Sequence, residues 1–362
     1  MTKSFHKKKI YIVQARIPEY RVFFFKNIKK NFNVRILSCK NKADKIFKEK
    51  RFLYKLKLVN IFGNFIWLKN IPYKKLKNNY LIINGNLRIL NNYLFFFLKY
   101  FFNFKLIWWG HLKSTRPAPF FDKIRLKIIN LFADRMILYT KKEFDEAKKN
   151  KLFKIKYNYL GNTIDQRKIV NINRKKQITN KKTRFLFVGR LRIKPSTLIE
   201  EAIKIFNKVD KNRYKFTIIG SGDAKQKIQD LIKSNNLSKN IEIINSSYNE
   251  NFLSKYFYKS DFFLYPGYIG LSLVHAFYYS LPVITHNNRY MHAPEFSYFK
   301  NNYNGYFYEH KNFKSLEKII NKALSTNKKK INQLRRNSKK TIKNLTIENM
   351  INRFNKIDFE KI

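Results

Sequence analysis

The chain has a single cysteine, Cys39, in 362 residues. That excludes a disulfide framework and any cysteine cage for a metal, and it fits a reducing cytoplasm. Acid is the next scarcity: 23 Asp and Glu stand against 77 Lys and Arg, a net charge of +54. AT-rich coding would enrich Lys, Asn, Ile, Phe and Tyr, but it would not remove carboxylates. The remaining excess calls for a polyanionic partner, and nucleic acid and an anionic membrane surface both qualify. Long apolar runs are missing too. Ile10–Val13 is too short for the core of a signal peptide. Leu90–Trp109 is broken by Lys99, Lys105, Asn91, Asn92 and Asn103, so no transmembrane helix is expected. The chain is expected to touch membranes without crossing them.

What is present is a dense apolar content, 44%, enough for two packed cores at this length. Short apolar strands alternate with helical patterns in the first half: Ile10–Val13, a helix over 20–31, then Val34–Ser38, Tyr80–Ile83, the aromatic helix Asn91–Phe102 and Leu106–Trp109. A helix at Ile124–Phe132 and strands at Met136–Tyr139 and Tyr157–Leu160 follow. The polar run NINRKKQITNKK, 171–182, has no apolar period and reads as a linker. A second alternating series begins at Phe185 and runs to Pro282–Thr285, with helices at Phe313–Leu324 and in the tail. The reading is α/β throughout, two doubly wound parallel-sheet domains. Their bounds are 1–172 and 184–339 with a linker at 173–183, and a last helix at about 340–362 packs back on the first domain.

Only ten glycines occur, so their placement is informative. Gly189, Gly220, Gly222, Gly267 and Gly270 each follow a strand of the second half, and Gly110 and Gly161 do so in the first. In open α/β sheets, ligands bind beyond the carboxyl ends of the strands, where bare backbone and helix N-termini approach an anion. Arg190 and Lys194 fall in the first of these turns. A bridging guanidinium and a point-charge ammonium facing a helix N-terminus suit a diphosphate. Gly220-Ser221-Gly222 is a G-x-G without a third glycine and argues weakly for a dinucleotide.

Together, Val188-Gly189-Arg190-Leu191, Ile219-Gly220-Ser221-Gly222 and the run from Tyr265-Pro266-Gly267 through Gly270-Leu271 to Pro282-Val283-Ile284 resemble glycosyltransferase family 4, of the GT-B fold. Asn162-Thr163-Ile164-Asp165 looks like that family's N-G-V-D segment, and Trp109-Gly110-His111 like its histidine loop. The family's paired glutamates fall here on Gly267 and His275. The run continues Thr285-His286 and then Pro294-Glu295-Phe296, a form associated with a subgroup of bacterial surface-polysaccharide transferases.

The resemblance implies two Rossmann-like domains facing a cleft, and transfer of a sugar from a nucleotide diphosphate sugar, with retention, to a glycan or lipid-linked acceptor. It implies no metal and no cofactor beyond the donor. Arg190, Lys194, Gly189 and the backbone of Gly270, Leu271 and Ser272 would hold the diphosphate. Gly220, Gly222, Gly267 and His275 would take the nucleotide and its ribose. His111 and Glu295 are the candidate catalytic groups, and His286 and His292 are weaker ones. The expected location is cytoplasmic, peripheral on the inner face of the cell membrane. Two other readings compete: a basic nucleic-acid- or membrane-binding protein on an inactive GT-B fold, and a sugar-nucleotide epimerase. Neither gives a reason for both the glycine rim and the basic, aromatic first half.

Overall fold

The computed structural model describes residues 8–39, 52–113, 119–170, 182–193 and 198–362. Most of the basic linker, 171–181, and Lys194 lie outside the described residues. The chain divides into two compact units, Met1–Asp165 with Leu345–Ile362, and Gln166–Asn344. The division falls at Asp165–Gln166, ahead of the linker.

In the first unit the elements run β1 (Ile10–Gln14), α1 (Val22–Ile28), β2 (Val34–Cys39), β3 (Leu53–Asn60), β4 (Ile66–Lys69), β5 (Tyr80–Asn84), α2 (Asn91–Phe102) and β6 (Lys105–Gly110). They continue with α3 (Pro119–Phe132), β7 (Arg135–Leu138), α4 (Lys141–Lys149) and β8 (Lys156–Tyr159). The second unit contains β9 (Thr183–Val188), α5 (Ile199–Lys208), β10 (Tyr214–Ile219), α6 (Lys225–Ser234), β11 (Ile241–Ile244), α7 (Glu250–Lys259) and β12 (Phe262–Leu264). Then follow α8 (Leu271–Tyr278), β13 (Val283–His286), β14 (Gly305–Tyr308), α9 (Phe313–Ser325) and α10 (Lys328–Thr341). A last helix, α11 (Ile347–Asn355), belongs to the first unit.

The first unit's sheet has the order β4-β3-β2-β1-β5-β6-β7-β8, and the second unit's β11-β10-β9-β12-β13-β14. All pairings among these strands are parallel except β3–β4, a hairpin on the edge of the first sheet. Central strands are apolar on both faces, as a sheet covered on both sides requires. In the first unit Ile12, Ile36, Ile82, Ile107 and Trp109 pack with Phe24, Met350 and Phe354. The alternate residues Tyr11, Val13, Leu81, Ile83 and Trp108 pack with Phe95, Phe96 and Ile129.

Strand order decides where a ligand can enter. It reverses between β1 and β5 in the first unit and between β9 and β12 in the second. The loops leaving two such strands diverge to opposite faces and open a crevice at the carboxyl end of the sheet. In the second unit those loops are Gly189–Ile193 and Tyr265–Gly270, the two segments singled out in the sequence.

Candidate functional site

The second unit's crevice is assembled from four loops. The turn after β9 is tied to the loop after β10: Gly189 N–H donates to Ile219 O (3.0 Å), Leu191 N–H to Ser221 O (3.1 Å) and Ile193 N–H to Asp223 Oδ1 (3.2 Å). This close seam explains Gly220 and Gly222. A Cβ on Gly220 would stand 2.3 Å from Gly189 O, and one on Gly222 1.8 Å from Leu191 O. Neighbouring backbone fills the space a side chain would need, so the G-x-G spacing serves loop-on-loop packing. Arg190, at the tip of the turn, is exposed and has no hydrogen-bond or ion-pair partner among the described residues.

Opposite, the loop after β12 leads to the N-terminus of α8, with Gly270 at its cap. The first amides of a helix have no partner within it, so the N–H groups of Leu271 and Ser272 are available as donors. Gly267 is buried in this loop. The Ser272 side chain shares a hydrogen bond with Tyr265, whose hydroxyl burial pushes up to about 12 against the opposing charge of Arg192. Tyr265 in turn leans over Gly189, where a Cβ would meet its hydroxyl at 3.0 Å.

Glu295 joins this edge of the crevice. Its Oε2 lies 3.7 Å from the position a Cβ would take on Gly270, and the residue is 3% exposed. His292 holds it there. Nδ1 of His292 accepts Ile269 N–H (3.2 Å), so its proton sits on Nε2, which donates to His286 O (2.9 Å). Ala293 N–H returns to Ile269 O at 2.9 Å. One imidazole thus joins the glycine loop, the end of β13 and the turn carrying Glu295. Burial is the main cause that pushes His292 down to about 4, and the residue is neutral at pH 7.

His286 stacks on His292 with centroids 3.8 Å apart and lies 4.5 Å from His310. Burial, with the two neighbouring imidazoles, pushes it down to about 2. Its Nδ1 and the hydroxyl of Thr285 are buried without a hydrogen-bond partner among the described residues. His286 and His292 are thus both held neutral beside the turn that carries Glu295.

His275 faces a carboxylate that the sequence reading did not single out. Its Nε2 lies 3.1 Å from Oε2 of Glu250, at the start of α7, and Tyr279 donates to the same oxygen at 2.7 Å. Burial alone would raise the Glu250 pKa, but the hydrogen bonds of His275 and Tyr279 and the charges of His275 and Lys168 together hold the acid below its ordinary value. A carboxylate from α7 is thus in contact with the imidazole of α8.

In the first unit, His111 follows β6. Gly85 and Gly110 face each other across the indole nitrogen of Trp108, which lies 2.5 and 2.7 Å from where their Cβ atoms would be. The His111 loop is anchored from outside: Leu112 N–H donates to Glu143 Oε1 (3.0 Å), and Arg125 donates to Leu112 O (2.5 Å). Burial first, then the charges of Arg125 and Arg21, push His111 down to about 4. Its ring lies 4.6 Å from that of Tyr139. Arg21, not singled out in the sequence, covers Trp109 at 4.3 Å and donates to Asn162 Oδ1 at 3.0 Å. Lys194 is the one site residue outside the described residues. Among those described, no group of three or more His, Cys, Asp or Glu is placed to hold a metal.

Residues 169–341 match the model of the family described as Glycosyl transferases group 1. No curated protein sequence matches the chain. Similar solved structures include the lipopolysaccharide outer core galactosyltransferase WaaB in its apo form, 14% identical with a TM-score of 0.70, which spans 98% of this chain and 100% of its own. Sucrose-phosphate synthase from Thermosynechococcus elongatus is 14% identical with a TM-score of 0.68, over 96% of this chain and 97% of its own. Anabaena HepE in complex with UDP and glucose is 11% identical with a TM-score of 0.67, over 96% and 98%. At such identities the structures share the fold. With the family match in the second unit, the chain is a glycosyltransferase of GT-B architecture.

Proposed function

We propose that this glycosyltransferase takes its sugar from a nucleoside diphosphate sugar, bound at the second unit's crevice, and passes it with retention to a glycan or lipid-linked acceptor of cell-surface polysaccharide synthesis. The observation that carries this reading is Arg190. An unpartnered guanidinium stands at a strand-order reversal whose opposite lip is the α8 N-terminus. Cleaving the bond between the sugar C1 and the diphosphate oxygen leaves negative charge on that oxygen. Arg190, with Lys194, and the amides of Gly270, Leu271 and Ser272 would stabilise it where it develops. The HepE structure in complex with UDP and glucose supports a nucleoside diphosphate donor.

Glu295 serves as the acceptor of sugar hydroxyl hydrogens beside the diphosphate, and His275 with Glu250 as the ribose contact, Gly267 and the Gly220–Gly222 loop lining that end. His111, neutral because its pKa is about 4, serves as a hydrogen-bond partner of a sugar hydroxyl or as a relay for the acceptor's proton. No metal enters this scheme. The decisive measurement is a thermal-shift series with UDP, GDP, dTDP and CMP, followed by donor hydrolysis with the nucleotide that binds. Stabilisation by a nucleoside diphosphate supports the reading, and equal indifference to all four would sink it.

A further inference from the structure

The outer face of the first unit is unusually apolar for a surface. On α2, Phe97, Tyr100 and Phe101 are 62%, 66% and 80% exposed, and on α3, Phe120 and Phe121 are 68% and 67% exposed. The two helices are neighbours, since Phe96 stacks on Phe132 at 4.9 Å and Lys99 donates to Phe132 O. The β3–β4 hairpin joins them at the start of α2. Ile66 N–H donates to Arg88 O, Leu90 N–H to Ile66 O, and Asn91 bonds the backbone of Leu68 twice. Its tip carries Phe62, 92% exposed. A protein surface bounded only by water rarely leaves so much aromatic area uncovered.

The charge around this face is one-sided. From Lys50 to Phe121 the sequence contains no Asp or Glu and thirteen Lys and Arg. Lys123 and Lys127 are exposed on α3, whose single acid, Asp122, is paired with Arg125 at 3.1 Å. A second copy of the chain would bring the same charge and be repelled. A nucleic acid strand would be tracked by a groove, whereas these rings stand on the outer faces of two helices. Lys99 pairs with Asp134 and Lys113 with Glu146, but the excess of lysine around these aromatic rings matches the boundary of an anionic bilayer, where rings enter the headgroup region and ammonium groups meet lipid phosphates.

We infer that α2, α3 and the β3–β4 tip form a docking surface for an anionic lipid bilayer. This rests on the reading of the acceptor as lipid-linked. It sharpens that reading, because α2 and α3 leave the strands whose ends carry Gly85 and His111, so docking holds those loops near the headgroups. Among the described residues no helix is long and apolar enough to cross a membrane, so the attachment is peripheral.

The test uses the full chain and sedimentation with vesicles of phosphatidylcholine, with and without phosphatidylglycerol. Wild type should pellet with the mixed vesicles and less with pure phosphatidylcholine. The exposed pairs Phe97→Ser with Phe101→Ser, and Phe120→Ser with Phe121→Ser, should each cut binding to mixed vesicles about tenfold. Circular dichroism and donor hydrolysis in water should be unchanged. Undiminished vesicle binding by both variants would overturn the surface, as would a loss confined to DNA or RNA binding, or a shift from oligomer to monomer. Donor hydrolysis by the wild type separates the two ideas: if it is absent the enzymatic reading fails, while the vesicle result still decides the docking surface.

Discussion

Glu250 and His275 bind each other from adjacent helices, Oε2 to Nε2 at 3.1 Å, and the same oxygen accepts the Tyr279 hydroxyl. A carboxylate at the start of α7 therefore fixes the orientation of the only histidine on α8. Glu250→Ala would remove the carboxylate oxygen that the buried Tyr279 hydroxyl and the His275 imidazole share. It should cost about 1–3 kcal/mol in urea unfolding, the range for an unsatisfied buried polar group. If His275 also contacts the ribose, nucleotide affinity should fall further than stability does. Unchanged affinity in a destabilised variant would leave the pair a purely structural tie.

Arg190→Ala should abolish donor turnover while shifting unfolding stability by no more than about 0.5 kcal/mol, since the side chain is exposed and unpartnered. Nucleotide titration by calorimetry should show the loss in affinity for the diphosphate and little change for the nucleoside. Wild-type turnover in this variant removes the diphosphate assignment.

The seam between the β9 and β10 loops predicts a contrast among glycines. Gly222→Ala drives a Cβ into Leu191 O and should destabilise by about 1–3 kcal/mol or more, as overpacking against backbone does. Gly63→Ala meets nothing within 4 Å and suffers only its φ of +67°, about 1 kcal/mol. Equal costs at the two sites would mean that the seam is not tight.

Acid should weaken both units. Burial, the leading cause in each case, pushes His111 to about 4, His286 to about 2 and His292 to about 4, from an ordinary 6.5. Each therefore binds a proton more readily unfolded than folded. Their contribution is complete above 6.5 and is lost as the pH falls from there towards 4. Melting temperature should fall through that window, and His286→Asn should flatten the slope. A profile level between pH ~6.5 and ~5 would show that these imidazoles are not held neutral.

Much of the second unit was legible because β9, β10 and β12 are mostly apolar and run into glycine-bearing loops, and helix α2 of the first unit falls where the sequence places it. The hairpin β3–β4 was not, since Lys55 and Lys57 interrupt the apolar pattern of Leu53–Asn60 on a sheet edge where solvent tolerates them. Helix α4 was overlooked although Thr140 and Glu143 form a capping box. The helix itself is mostly charged, so periodicity gave no signal. Among site residues, the glycines and Arg190 could be read from their place after strands. Arg21 could not, because its partner Asn162 is 141 positions away. Nor could the role of His292, which as a sequence symbol looks like any loop histidine and acquires its meaning from Ile269 and His286.

The first unit recovers Leu345–Ile362 after the chain has left it for the whole of the second. Phe354 meets Phe24 edge-on at 5.5 Å, and Phe359 lies 5.2 Å from Phe32 and 5.3 Å from Tyr80. During synthesis the earliest residues made are thus the last to be finished. Gln166–Asn344 can condense as each helix emerges, while the sheet begun at Ile10 waits with an aromatic face uncovered. A chaperone has its longest opportunity there, and premature termination just short of Leu345 would release a complete second unit beside an unfinished first.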